Sequence, residues 1–371
     1  MKKNILLYLF LFSFGLTFAQ QEQEKENTLK ENNQQQVDSL LAKGMAFNDK
    51  KDYGRAISMY DKAMELDKYN IVALQQKALS LANLGEYERA IQCCKTAIVM
   101  HPGAEELRGV YLTYGNSLEA EQKQLEALKI YNQGLRLFPD SYKLYYNKGL
   151  TLWELREYDN AIRSFQNAVM INPVHTNSHY AMGGLLYLQG KRIPALLAFC
   201  TFLMLETYGP RAQNVLEVIQ HPLMEKFTAK KGENAFAKNT SPNVFATNSF
   251  HSISSVLPDS SFYTTEIAFS EELAKGYPSD IKNKPEPERF EYKFGSLCAL
   301  LEKAEGEYHD FYWDFYVPYY VEMYDRRQLL PFSYSIFAPS GDAKVEKWLK
   351  SNKNAIDDFN AWSDSFKWKN K

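Results

Sequence analysis

The 371-residue sequence is short of several features that would mark out a class of protein. Its formal net charge is only −2, so the charge balance gives no electrostatic case for nucleic-acid binding, which needs a basic face. The chain has only four cysteines, and their positions show no disulfide framework. They are interpreted as small buried hydrophobes, and a bond between Cys200 and Cys298 stays open as an alternative.

The sequence also lacks the motifs of catalysis and cofactor binding. We find no nucleophile elbow, phosphate loop, dinucleotide fingerprint or cysteine-pair metal site. His175 and His179 have the four-residue spacing of helical metal ligands, but the stretch H-T-N-S-H lacks the adjacent glutamate of a zinc protease. A packing or capping role is favoured for both histidines. The sequence therefore predicts no catalytic residue, no metal and no cofactor.

Only one long apolar run is present, and it lies at the start of the chain. Lys2 and Lys3 precede an apolar stretch over residues 5–18, and Thr17 and Ala19 are small residues in front of a cut before Gln20. This pattern is typical of a secretory signal peptide at residues 1–19. It predicts an exported protein, in the periplasm or outside the cell, with no membrane segment after cleavage. Residues 20–36 have little to bury and are predicted to form a disordered polar tether.

A repeated pattern of small and large apolar residues occupies the middle of the chain. Its anchor alanines are Ala56, Ala90, Ala127, Ala161 and Ala195, at spacings of 34, 37, 34 and 34 residues. A small residue stands twelve before each anchor and an apolar residue four after it, and prolines close three units. The small residues are Gly44, Ala78, Gly115, Gly149 and Gly183. A small residue lets two helix axes approach, and a large one fills the space beside it, which predicts stacked helix pairs.

This 34-residue pattern resembles the tetratricopeptide repeat. The five predicted repeats are residues 37–70, 71–104, 108–141, 142–175 and 176–209, followed by a capping helix at 210–227 and a linker at 228–243. Residues 244–371 are predicted to form a small, aromatic-rich, all-α C-terminal domain. The resemblance implies an all-α helix-pair solenoid. The signal peptide looks like a Bacteroidetes export signal, and the C-terminal region resembles the tails of secreted Bacteroidetes tetratricopeptide proteins.

In that family the first helix of each pair lines a groove, which implies a set of partner-binding residues here. The inward candidates are Gln75, Asn116, Tyr146, Leu150, Trp153, Tyr180 and Tyr187, together with Leu41, Met45 and Leu79. Aromatic side chains are common anchors in protein interfaces. Two interpretations of the aromatic members stay open, namely contact with a partner and packing against the chain's own C-terminal region.

The C-terminal region contains an unusual aromatic run. Nine of the seventeen residues 308–324 are aromatic, and they fall into two stripes at helical spacing with Pro318 between them. Such stripes are usually core, so we expect a domain core or a face docked on the repeats, with a ligand pocket as the alternative. Pro318 is expected to kink a helix or to begin a new one.

The favoured function is therefore a non-catalytic adaptor or scaffold that binds a protein or an extended peptide. The alternative is a C-terminal module that is hydrolase-like or glycan-binding, and its best catalytic candidates are His309, Asp310 and Asp314. Convergence of these three side chains in one pocket would favour the enzyme, and divergence would count against it. The partner and the oligomeric state are not predicted.

Overall fold

The computed structural model describes residues 29–220 and 261–369. The predicted signal peptide, residues 20–28 of the tether, the end of the capping helix, the linker and residues 244–260 lie outside the described residues. The chain divides into two compact units, residues 1–139 and 140–371.

The first unit is built from three consecutive helix pairs. Helix α1 spans residues 29–49 and is held by Val37 and Leu41, which pack on the next helix through Ala56 and Tyr60. The remaining helices each pack on their neighbour in the chain. They are α2 (Tyr53–Leu66), α3 (Ile71–Asn83), α4 (Tyr87–Met100), α5 (Leu107–Ala120) and α6 (Gln124–Leu137).

The second unit contains two further helix pairs, a single helix after them and a set of C-terminal helices. The pairs are α7 (Tyr142–Glu154) with α8 (Tyr158–Ile171), and α9 (Thr176–Leu188) with α10 (Arg192–Leu205), and α11 (Pro210–Val218) follows. The C-terminal helices are α12 (Tyr263–Ala274), α13 (Glu286–Ala304), α14 (Phe311–Phe315), α15 (Val317–Asp325), α16 (Leu329–Ile336), α17 (Ala343–Ser351) and α18 (Lys353–Ser365).

The predicted all-α fold, a solenoid of helix pairs followed by a helical region, is confirmed. The described residues contain no strand. Among these residues no helix combines the length and the apolar character that a membrane span requires. The four cysteines are free thiols, so the Cys200–Cys298 bond is not formed in this structure.

Close approach of glycine to an aromatic ring explains the repeated small and large residues. In α7, a β-carbon added at Gly149 would lie 2.5 to 2.9 Å from three ring atoms of Phe165 in α8, and Gly183 faces Phe199 in the same way. Both rings are fully buried. In the second repeat the glycine is replaced by Ala78 and the residue four after the anchor is Cys94. The partner is thus smaller in the repeat where alanine replaces glycine.

Gly149→Ala is expected to destabilise the second unit by about 1–2 kcal/mol. Alanine at this position forces a buried ring to move, which costs about 1–3 kcal/mol, and we expect a value towards the upper end of that range. This cost exceeds the gain of up to about 1 kcal/mol from replacing glycine with alanine inside a helix. Gly295→Ala is the matched control, because Gly295 also lies inside a helix and its added β-carbon would meet its nearest neighbour at 3.4 Å. We expect that variant to be as stable as the parent or more stable, measured by urea denaturation. A Gly149→Ala variant as stable as the parent would contradict the close packing of Gly149 against Phe165.

The C-terminal helices pack directly on the fifth repeat. Tyr320 donates a hydrogen bond from its hydroxyl to the Leu197 carbonyl at 2.9 Å, and Tyr319 lies 3.3 Å from the sulfur of Met204. Twelve of the fourteen residues of α10 are buried, whereas four are buried in each of α2, α4 and α6. The aromatic run is therefore a docked face and a core, as favoured from the sequence. This packing places repeats four and five in one compact unit with the C-terminal helices.

Three local features differ from expectation or refine it. Residues 29–36, predicted to be disordered, are exposed but helical, because good helix formers extend a helix that packing has already nucleated at Val37. Pro318 begins a new helix as the second residue of α15. Helix α16 was not expected, since it is short, carries Pro331 in its first turn and has no polar stripe.

Candidate functional site

The predicted groove residues are divided between the two units. In the first unit Gln75 is half-buried on α3, and its amide occupies the space left open at Gly109 of α5. Asn116 is exposed, and its side-chain oxygen accepts a hydrogen bond from the Tyr131 hydroxyl at 2.7 Å. Both amides are therefore used in contacts within the unit. Three further candidates of the first unit are Leu41, which is buried, Met45, which is half-buried, and Leu79, which is exposed. The other five candidates lie in the second unit.

In the second unit the candidates fall on one side of two neighbouring helices. Tyr146 and Leu150 are one turn apart on α7, and Tyr180 and Tyr187 are two turns apart on α9. Arg211 of α11 lies over the end of this row, with its guanidinium carbon 5.1 Å from the centre of the Tyr180 ring. We call these five residues the tyrosine face.

Tyr146 is fixed by aromatic neighbours from two elements. Its ring centre lies 5.9 Å from that of Phe165 and 5.0 Å from that of His175, which meets it edge to face. Burial raises the pKa of the Tyr146 hydroxyl, and the nearby Arg211 cation opposes that change. The hydroxyl is thus a neutral donor and acceptor at physiological pH. The ring remains half-exposed, so it can be reached from solvent.

Tyr180 is covered by the chain itself. It is only 4% exposed, its ring centre lies 5.0 Å from that of Phe202, and Arg211 stacks on it. Burial raises the pKa of Tyr180 to about 12. Trp153, at the end of α7, is also buried, with 7% exposure. These two rings therefore support the face from within, a role that differs from the exposed anchors expected from the sequence.

Arg211 was missed in the sequence analysis, and it supplies the charge of the face. Its Nη1 donates to the Asn177 side-chain oxygen at 2.9 Å, and its Nε donates to Glu206 at 3.0 Å. The carboxylate of Glu206 offsets the cation, so the guanidinium is held in place as a flat stacking surface. In the sequence, Arg211 is marked by its position, since it is the second residue of the helix that follows the last repeat.

The two histidines have structural partners. His179 is fully buried, its Nε2 donates to the Pro173 carbonyl at 2.7 Å, and its Nδ1 accepts from the Tyr316 hydroxyl at 2.6 Å. The nitrogen that faces a carbonyl must carry the proton, so these partners fix a neutral tautomer. Burial lowers the pKa of His179 to about 4. In the described part of the chain no group of three or more metal-ligating side chains could hold an ion.

The three catalytic candidates do not converge. One carboxylate oxygen of Asp310 accepts from the backbone nitrogens of Tyr312 and Trp313, which makes it the cap of α14, and the other accepts from Ser261. His309 is 76% exposed, with its Nδ1 3.8 Å from Asp314. The same Asp314 oxygen also pairs with Lys369, at the shorter distance of 3.0 Å. A helix cap and two solvent-exposed groups give no shared position for a reacting atom.

Comparison with known proteins identifies the repeats. The family model of the tetratricopeptide repeat matches residues 37–70, 71–100 and 142–175. Over 114 residues the chain is 30% identical to small glutamine-rich tetratricopeptide repeat-containing protein 2 of Mycosarcoma maydis, which covers 31% of this chain and 31% of that protein. The Dictyostelium discoideum protein STIP1 homolog is 27% identical over 157 residues, covering 33% of this chain and 27% of that protein. The chain thus spans about a third or less of the length of these curated relatives.

Two solved bacterial structures are also similar. Pseudomonas aeruginosa pilF is 18% identical, with a TM-score of 0.46, covering 51% of this chain and 85% of that one. MamA of Desulfovibrio magneticus is 19% identical, with a TM-score of 0.40, covering 46% and 96%. The resemblance to exported Bacteroidetes proteins stays a prediction, since these proteins come from eukaryotes and other bacteria. The matched family model shows that the chain contains tetratricopeptide repeats at residues 37–70, 71–100 and 142–175.

Proposed function

We propose that the protein is a non-catalytic interaction adaptor, and that it binds a protein or an extended peptide on the tyrosine face. The observation that carries this proposal is the row of half-exposed apolar and aromatic side chains, Tyr146, Leu150 and Tyr187, held on buried rings and beside a fixed arginine. Rigid aromatic anchors with an arginine are the composition of energetically important interface sites.

The kind of protein that carries such repeats supports this proposal. One similar chain, 45% identical over 49 residues, covering 13% of this chain and 9% of that one, is the Hsp70-Hsp90 organizing protein 3 of Arabidopsis thaliana. Its name describes a protein that acts on other proteins. Here the tyrosine face would serve the same general purpose, and no nucleic-acid partner is proposed.

We further propose that the protein is exported from the cytoplasm. Its support is the N-terminal pattern of two lysines, an apolar run and small residues before Gln20. Partners would then belong to the envelope or to the extracellular space. Mass spectrometry of the N-terminus of the protein purified from its own cells tests export, and an intact Met1 would contradict it.

The binding proposal predicts a specific loss of capture. Mature protein from Gln20 to Lys371 is used as bait in envelope extract, beside a variant with Leu150→Ser and Tyr187→Ser. These two residues are chosen because they are half-exposed, whereas alanine at Trp153 or Tyr180 would damage buried packing. We expect the variant to capture at least tenfold less of the partner than the parent does, measured by quantitative mass spectrometry.

A matched control keeps the result interpretable. Ile267→Ser with Tyr292→Ser removes the same two kinds of side chain from exposed positions, 44% and 40% accessible, on the C-terminal helices. Both double variants must keep the parent's helical circular dichroism. Equal capture by all three proteins would exclude the tyrosine face as the binding surface.

A further inference from the structure

A second possible binding site is a cavity of about 600 Å³ in the second unit. Its walls come from the end of α10, the turn between α8 and α9, and helix α18. None of the five residues of the tyrosine face lines it. Its volume is within the range of about 300–1,000 Å³ that is usual for ligand pockets.

The mouth of this cavity exposes large apolar side chains. Val174 is 62% exposed, Tyr208 is 73% exposed and Leu205 is 37% exposed, and all three line the cavity. Further inside, the wall includes Met204 and the buried ring of Phe359. Apolar side chains grouped at the rim of a cavity are typical of a surface that another molecule covers.

The opposite wall carries more carboxylates than cations. Helix α18 presents Lys353, Asp357, Asn360 and Asp364 to the cavity, at successive spacings of four, three and four residues along one side of the helix. Within residues 29–220 and 261–369, neither aspartate forms a hydrogen bond or an ion pair. Two carboxylates against one lysine leave this wall with a net negative charge.

Aromatic rings at the C-terminal end of the cavity add a surface for a cation. Trp368 and Phe366 line the cavity, with ring centres 5.2 Å apart. Trp368 is held by stacking on Tyr319 at 4.6 Å. Aromatic rings that line the same cavity as carboxylates suit a lysine or arginine side chain, which gains from both.

We propose that this cavity binds a short extended segment of a partner protein, in which a large apolar side chain stands next to a lysine or arginine. The apolar side chain packs between Leu205 and Phe359. The cation lies beside Asp357 and Asp364. This goes beyond the proposed function, because it is a second site with its own sequence preference, and it does not depend on the tyrosine face.

An array of hexapeptides tests the proposal directly. The array combines leucine, isoleucine, phenylalanine or tryptophan at the centre with lysine, arginine, serine or glutamate on either side. Labelled mature full-length protein is applied, and the best peptides are measured in solution by fluorescence anisotropy. We expect the basic peptides to bind and the glutamate peptides to be rejected. Replacing both carboxylates, Asp357→Asn with Asp364→Asn, is expected to weaken binding about tenfold or more.

Asp358→Asn is the matched control, because Asp358 is an exposed carboxylate on the same helix that does not line the cavity. It should bind as the parent does, and the Leu150→Ser, Tyr187→Ser variant should do so as well. No peptide binding, or binding that survives loss of both aspartates, would overturn the proposal. A glycan that binds and is lost with Trp368→Ala, or a dimer that dissociates in the double aspartate variant, would assign the cavity to a different occupant and overturn it too.

Discussion

Replacing Phe294 with alanine is expected to lower the free energy of unfolding of the second unit by about 3–5 kcal/mol. Phe294 lies on α13 and has no exposed surface. Its ring centre is 5.1 Å from Phe290, 5.4 Å from Tyr320 and 5.5 Å from Phe332. These neighbours belong to three different helices, so the surrounding structure cannot collapse into the space without disturbing all of them.

Tryptophan fluorescence is suited to this measurement. All five tryptophans lie after residue 139, so their fluorescence during urea denaturation reports on the second unit alone. Tyr292→Ala is the control, since Tyr292 is on the same helix and is 40% exposed. We expect that variant to lose no more than about 1 kcal/mol. Equal losses in the two variants would mean that this aromatic cluster is not the core of the unit.

The repeats could be predicted from the sequence because their packing depends on pairs at fixed spacing. Gly149 needs a bulky partner sixteen residues later, and Phe165 is there. The same constraint acts in every repeat, so the pattern recurs with a period. The period alone therefore predicts helix pairs, and no knowledge of their contacts with other parts of the chain is needed.

The docking of the C-terminal helices could not be predicted in the same way. It joins residues more than a hundred positions apart, such as Tyr320 and Leu197, and such pairs leave no period. One signal was present, since residues 192–205 carry almost no polar side chain after Arg192. A helix that is apolar on all sides must be covered on all sides. A cover on α10 is therefore expected, but the segment that supplies it is not predicted.

The candidate site was predicted in part, for a related reason. Helical spacing places Tyr146, Leu150, Tyr180 and Tyr187 on one side of their helices. It does not predict which of them are covered. Tyr180 is buried because Arg211 lies on it, and that arginine belongs to the helix after the last repeat. Burial of one member thus depends on a contact outside the pattern.

The buried His179 is expected to make the second unit less stable in mild acid. Its neutral form is required in the fold, because Nδ1 accepts from Tyr316 and Nε2 donates to Pro173. The folded pKa is about 4, lowered from 6.5 chiefly by burial. Between these values the unfolded chain binds more protons, so stability is complete above pH 6.5 and falls as the pH drops towards 4. For this group the loss from pH 7.5 to pH 4.5 is about 2–3 kcal/mol.

Comparison with a variant that lacks the titrating ring separates the contribution of His179 from those of the carboxylates and of His175. Burial also lowers the pKa of His175. His179→Asn keeps an acceptor for Tyr316 and carries no charge at any pH. It is expected to start less stable at pH 7.5, but to lose about 2–3 kcal/mol less than the parent by pH 4.5, measured by urea denaturation with tryptophan fluorescence. His309→Asn, at an exposed position, should keep the parent's pH dependence. Parallel pH profiles for the parent and His179→Asn would mean that His179 accepts a proton without breaking its bond to Tyr316, and that the C-terminal helices do not rely on the neutral ring.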